Sequence, residues 1–286
     1  MKMSDTNRIT IGRATLRLPD DHTLREIYLA HPSYDFVHWN IISSLVAENG
    51  LSNIGLIDVG ANVGDSIAHF RRRHLGRIIA IEPDEVFRGF CQENCNQFND
   101  VSVLQSLVCP QEYQGAVSFE KIVQTGRTVL GDGEVYRGSY ISVSQLLKRI
   151  PGPLVFKTDT DGFDAEILCE LVNCIEQGDG RVKVISFEGP TEEQMNSGSF
   201  GQFLDPIKRL QAFGYRVLIL SNLGFPVAFP GRDFGQVDWH LNRLHIESKY
   251  GRASCHYFDF VAIAPDLKCT TCNFDCCDIF DDVYAE

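Results

Sequence analysis

LIDVGANVGDSIAHF, residues 56–70, decides the fold. An apolar run closes on Asp58. A turn follows with glycines at Gly60 and Gly64. The next stretch places Ile67, Phe70 and His74 on one helical face. The unit therefore predicts strand, glycine turn, helix, the arrangement that puts a ligand at the carboxyl edge of a parallel sheet. The turn lacks the Gly-x-Gly-x-x-Gly pattern whose second glycine admits a pyrophosphate, and it has no Gly-Lys-Ser/Thr for a triphosphate. An acid immediately before the turn would repel phosphate and suits an ammonium group instead.

The second strand, RIIAIE, ends on Glu82, where a carboxylate can accept hydrogen bonds from ribose hydroxyls. A ribose, an ammonium and a sulfonium without phosphate describe S-adenosylmethionine, which fits Asp58 and Glu82 better than NAD or ATP. Strand and helix patterns keep alternating: VSVLQ, PLVFKTD, VKVISFE, YRVLILS and YFDFVAIA read as further strands. The count is seven, in a mostly parallel sheet with helices on both faces. Asp58, Glu82, Asp159 and Glu188 each end a strand, so all four carboxylates are expected along one edge. Residues 1–54 read as an N-terminal strand and helix extension, 55–265 as the main domain with a 222–256 insert, and 266–286 as a cysteine-rich acidic tail.

With these motifs in order, LIDVGANVGDSIAHF, IIAIEPD and PLVFKTDTDGFDAEIL resemble the first, second and fourth strand motifs of FkbM-type methyltransferases. The resemblance runs over roughly residues 30–265 and takes in VISFE and YFDFVAIA. It implies a Rossmann-like class I methyltransferase fold with an antiparallel last strand, S-adenosylmethionine as cofactor, and methylation of a hydroxyl on a sugar, glycan or natural product. N-methylation, or a non-catalytic cofactor-binding partner protein, are the alternatives. It further implies that Asp58, Gly60, Asn62 and Gly64 line the methionine side of the cofactor and that Glu82 holds the ribose. Two features set this chain apart: Gly189-Pro190 after the fifth strand, and the tail.

KTDTDGFD brings Asp159, Asp161 and Asp164 together where a strand runs into a helix. Methyl transfer needs alignment of the nucleophile with the methyl group and a destination for its proton. A carboxylate of pKa ~4 is a weak base for a hydroxyl. The expectation is that Asp159, Asp161, Asp164 and Glu188 carry the chemistry, either as late proton acceptors or by holding Mg²⁺. Asp161 as helix cap and Asp164 in the first turn is the competing reading. Lys157 lies two residues before Asp159 and is able to pair with these acids. His38, His240, His245 and His256 are further bases to consider, and Tyr34 and Trp239 further stacking groups.

A net charge of −12 argues against nucleic acid as a partner. No apolar run reaches the ~20 residues of a spanning helix, and the start of the chain lacks a signal-peptide pattern, so a cytoplasmic location is expected. The expected partner is a small-molecule or glycan acceptor, with self-association left open. In the tail, Cys269, Cys272, Cys276 and Cys277 crowd into CTTCNFDCC. They suit either a zinc site or a set of reduced thiols in a mobile acidic segment.

Overall fold

The computed structural model describes residues 7–32, 34–110, 117–121, 126–130, 134–160, 162–190, 200–232, 234–250 and 257–269. The chain opens with a hairpin of β1 (Arg8–Ile11) and β2 (Ala14–Arg17), then α1 (Leu24–Ala30) and α2 (Phe36–Glu48). The motif segment forms β3 (Gly55–Val59) and α3 (Asp65–Arg71). It is followed by β4 (Ile78–Ile81), α4 (Glu85–Cys95) and β5 (Val101–Leu104). Short strands β6 (Ser106–Val108), β7 (Val117–Lys121), β8 (Gly126–Leu130), β9 (Glu134–Val135) and β10 (Ser139–Ile141) occupy the irregular stretch, before α5 (Val143–Leu147). The pattern then resumes with β11 (Leu154–Thr158), α6 (Asp164–Glu176), β12 (Val182–Glu188), α7 (Phe200–Ala212), β13 (Arg216–Ser221), β14 (Pro226–Gly231), α8 (Phe234–Lys249) and β15 (Phe258–Ile263).

The main sheet runs β14-β13-β15-β12-β11-β3-β4-β5. Its β12-β11-β3-β4-β5 half is parallel, and β15 lies antiparallel between β12 and β13. Strands β3, β4 and β11 are buried along their whole length, as central parallel strands covered on both faces must be. That explains their continuous apolar runs. The main core draws Val37, Trp39, Ile41 and Leu45 of α2 together with Phe156, Phe187 and Phe260 of the sheet.

The sheet has eight strands where the sequence pattern yields seven. The eighth, β14, comes from the 222–256 insert and pairs antiparallel with β13 at the edge. Pro226 and Pro230 disguise it, because proline cannot donate to a ladder and is tolerated only on edge strands or at bulges. The rest of the described insert forms α8.

The N-terminal hairpin alternates buried and exposed residues. Ile9, Ile11, Ala14 and Leu16 form a second apolar cluster with Val63, Ala68 and Phe87, so the hairpin packs directly on the glycine turn and α4. Asn94 of α4 stitches these parts together. Its amide donates to the carbonyls of Arg17 (2.9 Å) and Val63 (2.8 Å), and its Oδ1 accepts from the Arg17 amide (2.8 Å). Among the described residues no helix is long and apolar enough to cross a membrane.

Candidate active site

Two pockets meet over the carboxyl ends of the parallel strands. The first, about 520 Å³ and open, is walled by Gly60 and Asn62 of the glycine turn, Glu82 after β4, Phe87 of α4, Ser106–Val108, and Asp159 and Phe163 after β11. The glycine turn is held from several sides. Gly60 has φ 77, and a Cβ there would lie 1.8 Å from the Asp159 carbonyl oxygen, so only glycine lets the ends of β3 and β11 come this close. Asn62 also takes a left-handed backbone, φ 46. Its amide donates to Glu82 Oε2 at 2.9 Å, and Glu82 Oε1 accepts from the Asp84 amide at 2.9 Å. His22 reaches in from the N-terminal region. Its Nδ1 accepts from the Leu24 amide (3.1 Å), which leaves Nε2 to donate to Asn62 Oδ1 at 2.9 Å.

Burial pushes the Glu82 carboxyl up to about 7, against the two amide bonds that favour its charge. It is 6% exposed, with its carboxyl at the pocket wall. Asp58 and Gly64 are absent from that wall. Gly64, φ 89, packs behind it, where a Cβ would meet Cys91 and Cys95 Sγ at 3.4 and 3.5 Å. Asp58 is wholly buried; among the described residues neither oxygen has a hydrogen-bond donor in good geometry, and Oδ1 lies 3.3 Å from Lys157 Nζ.

The second pocket, about 400 Å³, is enclosed by Tyr34, Asp35, His38 and Trp39 of the α2 region, Lys157–Asp159, Ser186–Glu188, and Tyr257 and Asp259 of the β15 region. Asp159 lines both pockets. Its side chain is 48% exposed and its Oδ2 stands 3.2 Å from Lys157 Nζ. In-register pairing of β11 with β3 sets Lys157 beside Asp58, so one lysine serves two carboxylates. Although burial works against its charge, Asp159, Asp58 and Asp65 together hold Lys157 well above the usual lysine value. Burial outweighs the shared lysine at Asp58, which is raised. Glu188 and Asp259 are register partners on β12 and β15. Burial, then Asp35 and Asp159, push Asp259 well up. His38 Nε2 lies 2.9 Å from Ser186 Oγ, and burial with the nearby Lys157 lowers the imidazole to about 4.

Of the expected catalytic acids, Asp159 and Glu188 therefore come together and Asp164 does not. Asp164 is the first residue of α6, and its carboxylate accepts from Thr158 Oγ1 (2.6 Å), Thr160 Oγ1 (3.0 Å) and the Thr160 amide (3.2 Å). It ties the end of β11 to the turn and lines neither pocket. Asp161 lies outside the described residues, and the cap position of α6 is Phe163, which makes no side-chain cap. The expected magnesium site finds no support: Asp164 is taken by threonines, Asp159 faces Lys157, and among the described residues, which do not include Asp161, no group of three His, Cys, Asp or Glu is arranged to hold a metal.

Cys269 is half-buried against the main core, while Cys272, Cys276, Cys277 and His256 lie outside the described residues. Trp239 is exposed and stacks under Arg243, away from both pockets. Asp35, Tyr257, Asp259, Phe87 and Ser106 escaped the sequence reading. Asp35 and Asp259 carried a signal, being acids beside a strand or helix start, but nothing local joins segments more than two hundred residues apart.

The fit to S-adenosylmethionine rests on the chain's own groups. Gly60 lets the ends of β3 and β11 close into one wall, and Glu82 presents at that wall a carboxylate that accepts from ribose hydroxyls and would repel a phosphate. Solved structures that align with the chain include the precorrin-6y C5,15-methyltransferase of Geobacter metallireducens GS-15, at 13% identity and TM-score 0.36, covering 77% of this chain and 85% of that one. A SAM-dependent O-methyltransferase of Thermotoga maritima aligns at 11% identity and TM-score 0.38, over 79% of this chain and 64% of that one. The plantazolicin methyltransferase BpumL, in complex with SAH, aligns at 9% identity and TM-score 0.38, over 85% and 87%. Comparison with curated proteins returns no match. The methyltransferase FkbM domain matches residues 58–217, more than half of the sequence, and the chain belongs to that family of S-adenosylmethionine-dependent methyltransferases.

Proposed function

We propose that the protein methylates a hydroxyl of a sugar or natural product held in the second pocket, with S-adenosylmethionine in the first. The observation that carries this reading is Asp159, the residue common to both walls. When bound, the cofactor supplies a methyl group activated by its positive sulfonium. Gly60 and Asn62 receive its amino-acid side, and Glu82 accepts hydrogen bonds from its ribose. Asp58 acts from behind the wall by holding Lys157 in place. Asp159, fixed by Lys157, orients the acceptor hydroxyl toward the methyl carbon, and Glu188 and the aromatic rings of Tyr34 and Tyr257 bound the acceptor on its far side. Asp164 keeps the turn that carries Asp159.

In this reading residues 1–54 are part of the active site, since His22 steadies the glycine turn and α2 supplies the second pocket. A second reading is N-methylation. Four carboxylates, Asp35, Asp159, Glu188 and Asp259, surround the single Lys157, which suits an amine that arrives protonated.

The test is methyl transfer from labelled S-adenosylmethionine to a panel of sugars, hydroxylated natural products and amines. Labelled hydroxyl products that disappear with Asp159→Ala, while S-adenosylhomocysteine still binds, support the reading. Turnover that survives Asp159→Ala contradicts it.

A further inference from the structure

We propose that Asp35 is the proton acceptor of the second pocket and that cofactor charge controls it. Asp35 sheds its own proton when a sulfonium occupies the first pocket, and it keeps the acceptor's proton once that charge has gone. This rests on the two-pocket reading above.

The geometry comes first. Asp35 stands at the N-terminal boundary of the 13-residue helix α2, where an aspartate ordinarily accepts from the amides of the first turn. It makes no such bond. Its backbone is left-handed, φ 61, at a residue that is not glycine, and the side chain lines the second pocket instead of capping the helix. Outliers of this kind persist where the surroundings impose them, and they gather at functional sites. Among the described residues its carboxylate has no hydrogen-bond or ion-pair partner.

The electrostatic surroundings set the proton affinity. Among the described residues Lys157 is the one cation at this wall, and it already serves Asp58 and Asp159. Asp65 of α3, Asp58 of β3, Asp159 after β11, Glu188 of β12 and Asp259 of β15 are all acids; Tyr28 of α1, Tyr34, His38 and Tyr257 are the further titratable groups near it. Burial holds His38 neutral, and Tyr28, Tyr34 and Tyr257 are all raised, so none of these four adds charge. Burial first, then Asp65, push Asp35 up to about 8, with Lys157 pulling the other way and Asp159 and Asp58 adding to the rise. An acid so placed is a far better base for a hydroxyl than one of pKa ~4. It also feels charge at Asp159 and Asp58, so a positive charge arriving between the pockets acts as Lys157 does and favours the carboxylate.

The step balances. On cofactor binding, Asp35 releases its proton to solvent. In the transfer, the acceptor's electron pair forms the bond to carbon, and the carbon–sulfur bond breaks with its pair going to sulfur. The acceptor's proton goes to Asp35. The sulfur is then neutral, the pull on Asp35 is gone, and the proton stays until the next cofactor binds.

Calorimetric titration in buffers of different ionisation enthalpy counts the protons released, and it needs no acceptor. The two probes are S-adenosylmethionine and S-adenosylhomocysteine, which share ribose, ammonium and carboxylate and differ in the sulfonium. The ribose contact to Glu82 is common to both probes, so the difference isolates the sulfonium. At pH 8 the expected difference is about half a proton more for S-adenosylmethionine. Asp35→Asn, which keeps a residue tolerant of left-handed backbone, is expected to abolish that difference while both probes still bind. Asp65→Asn removes the largest charge that raises Asp35 and is expected to move the difference to lower pH. Equal proton release for the two probes overturns the proposal, as does a difference that survives Asp35→Asn or one that Asp65→Asn leaves unmoved. Failure of both probes to bind folded wild-type protein overturns the two-pocket reading itself, and this proposal with it.

Discussion

The two pockets are built differently although they share Asp159. The walls of the first come from neighbouring βα turns within residues 59–108, plus the turn after β11, and its polar groups are bonded. Glu82 accepts two amides, and Asn62 is held by Glu82 and His22. The second gathers residues 34–39, 157–159, 186–188 and 257–259, and its acids outnumber its one lysine. A site assembled from local turns is rigid before its ligand arrives, which lowers the ordering cost of binding. A site assembled from distant segments, in which acids outnumber the cation, stays responsive to charge. The difference fits a division between holding a constant cofactor and handling a proton.

The largest expected effect breaks both pockets at their common edge. Gly60→Ala forces a Cβ against the Asp159 carbonyl and a left-handed backbone on alanine, so S-adenosylhomocysteine affinity should fall by about 100-fold or more, the scale of an ångström's misplacement. Titration of folded variant and wild type checks it. Asp159→Ala sharpens the comparison: methyl transfer to an acceptor from the panel should drop about 100-fold with S-adenosylhomocysteine affinity retained.

Glu82→Gln addresses the first pocket alone, and about tenfold weaker binding is expected from losing a charged acceptor. The pH dependence has a definite sign. Ribose hydroxyls donate to the ionised carboxyl, which titrates at about 7 in the free protein. Wild-type affinity should therefore weaken as pH falls through 7, and the variant should lose that dependence. The smallest effect belongs to Ser186→Ala, which removes the partner of His38. About 1 kcal/mol of stability is expected to go, read by denaturant unfolding, with cofactor binding unchanged.

The same contrast decides what could be read from the sequence. Strands β3, β4 and β11 are continuous apolar runs because they are buried on both faces, and each ends where the next turn begins. Gly60 and Glu82 were therefore legible from the pattern, and Asn62 through the family resemblance. Asp164 shows the limit of spacing. It sits among acids in the sequence, yet Thr158 and Thr160 turn it into a strut. Strand β14 was hidden by its prolines, which an edge position permits. Asp35 and Asp259 showed only as acids beside a helix or strand start, and that they line one pocket depends on segments more than two hundred residues apart coming together. A local pattern carries no trace of such a meeting.

The central claim is that the first pocket holds the cofactor through Glu82, independently of the second. The most direct measurement is calorimetric titration of wild type, Glu82→Gln and Asp259→Asn with S-adenosylhomocysteine at pH 8. Saturable one-to-one binding to wild type is expected, with an affinity weakened about tenfold by Glu82→Gln and no change with Asp259→Asn. Absence of saturable binding in folded protein, or binding indifferent to Glu82, would contradict it.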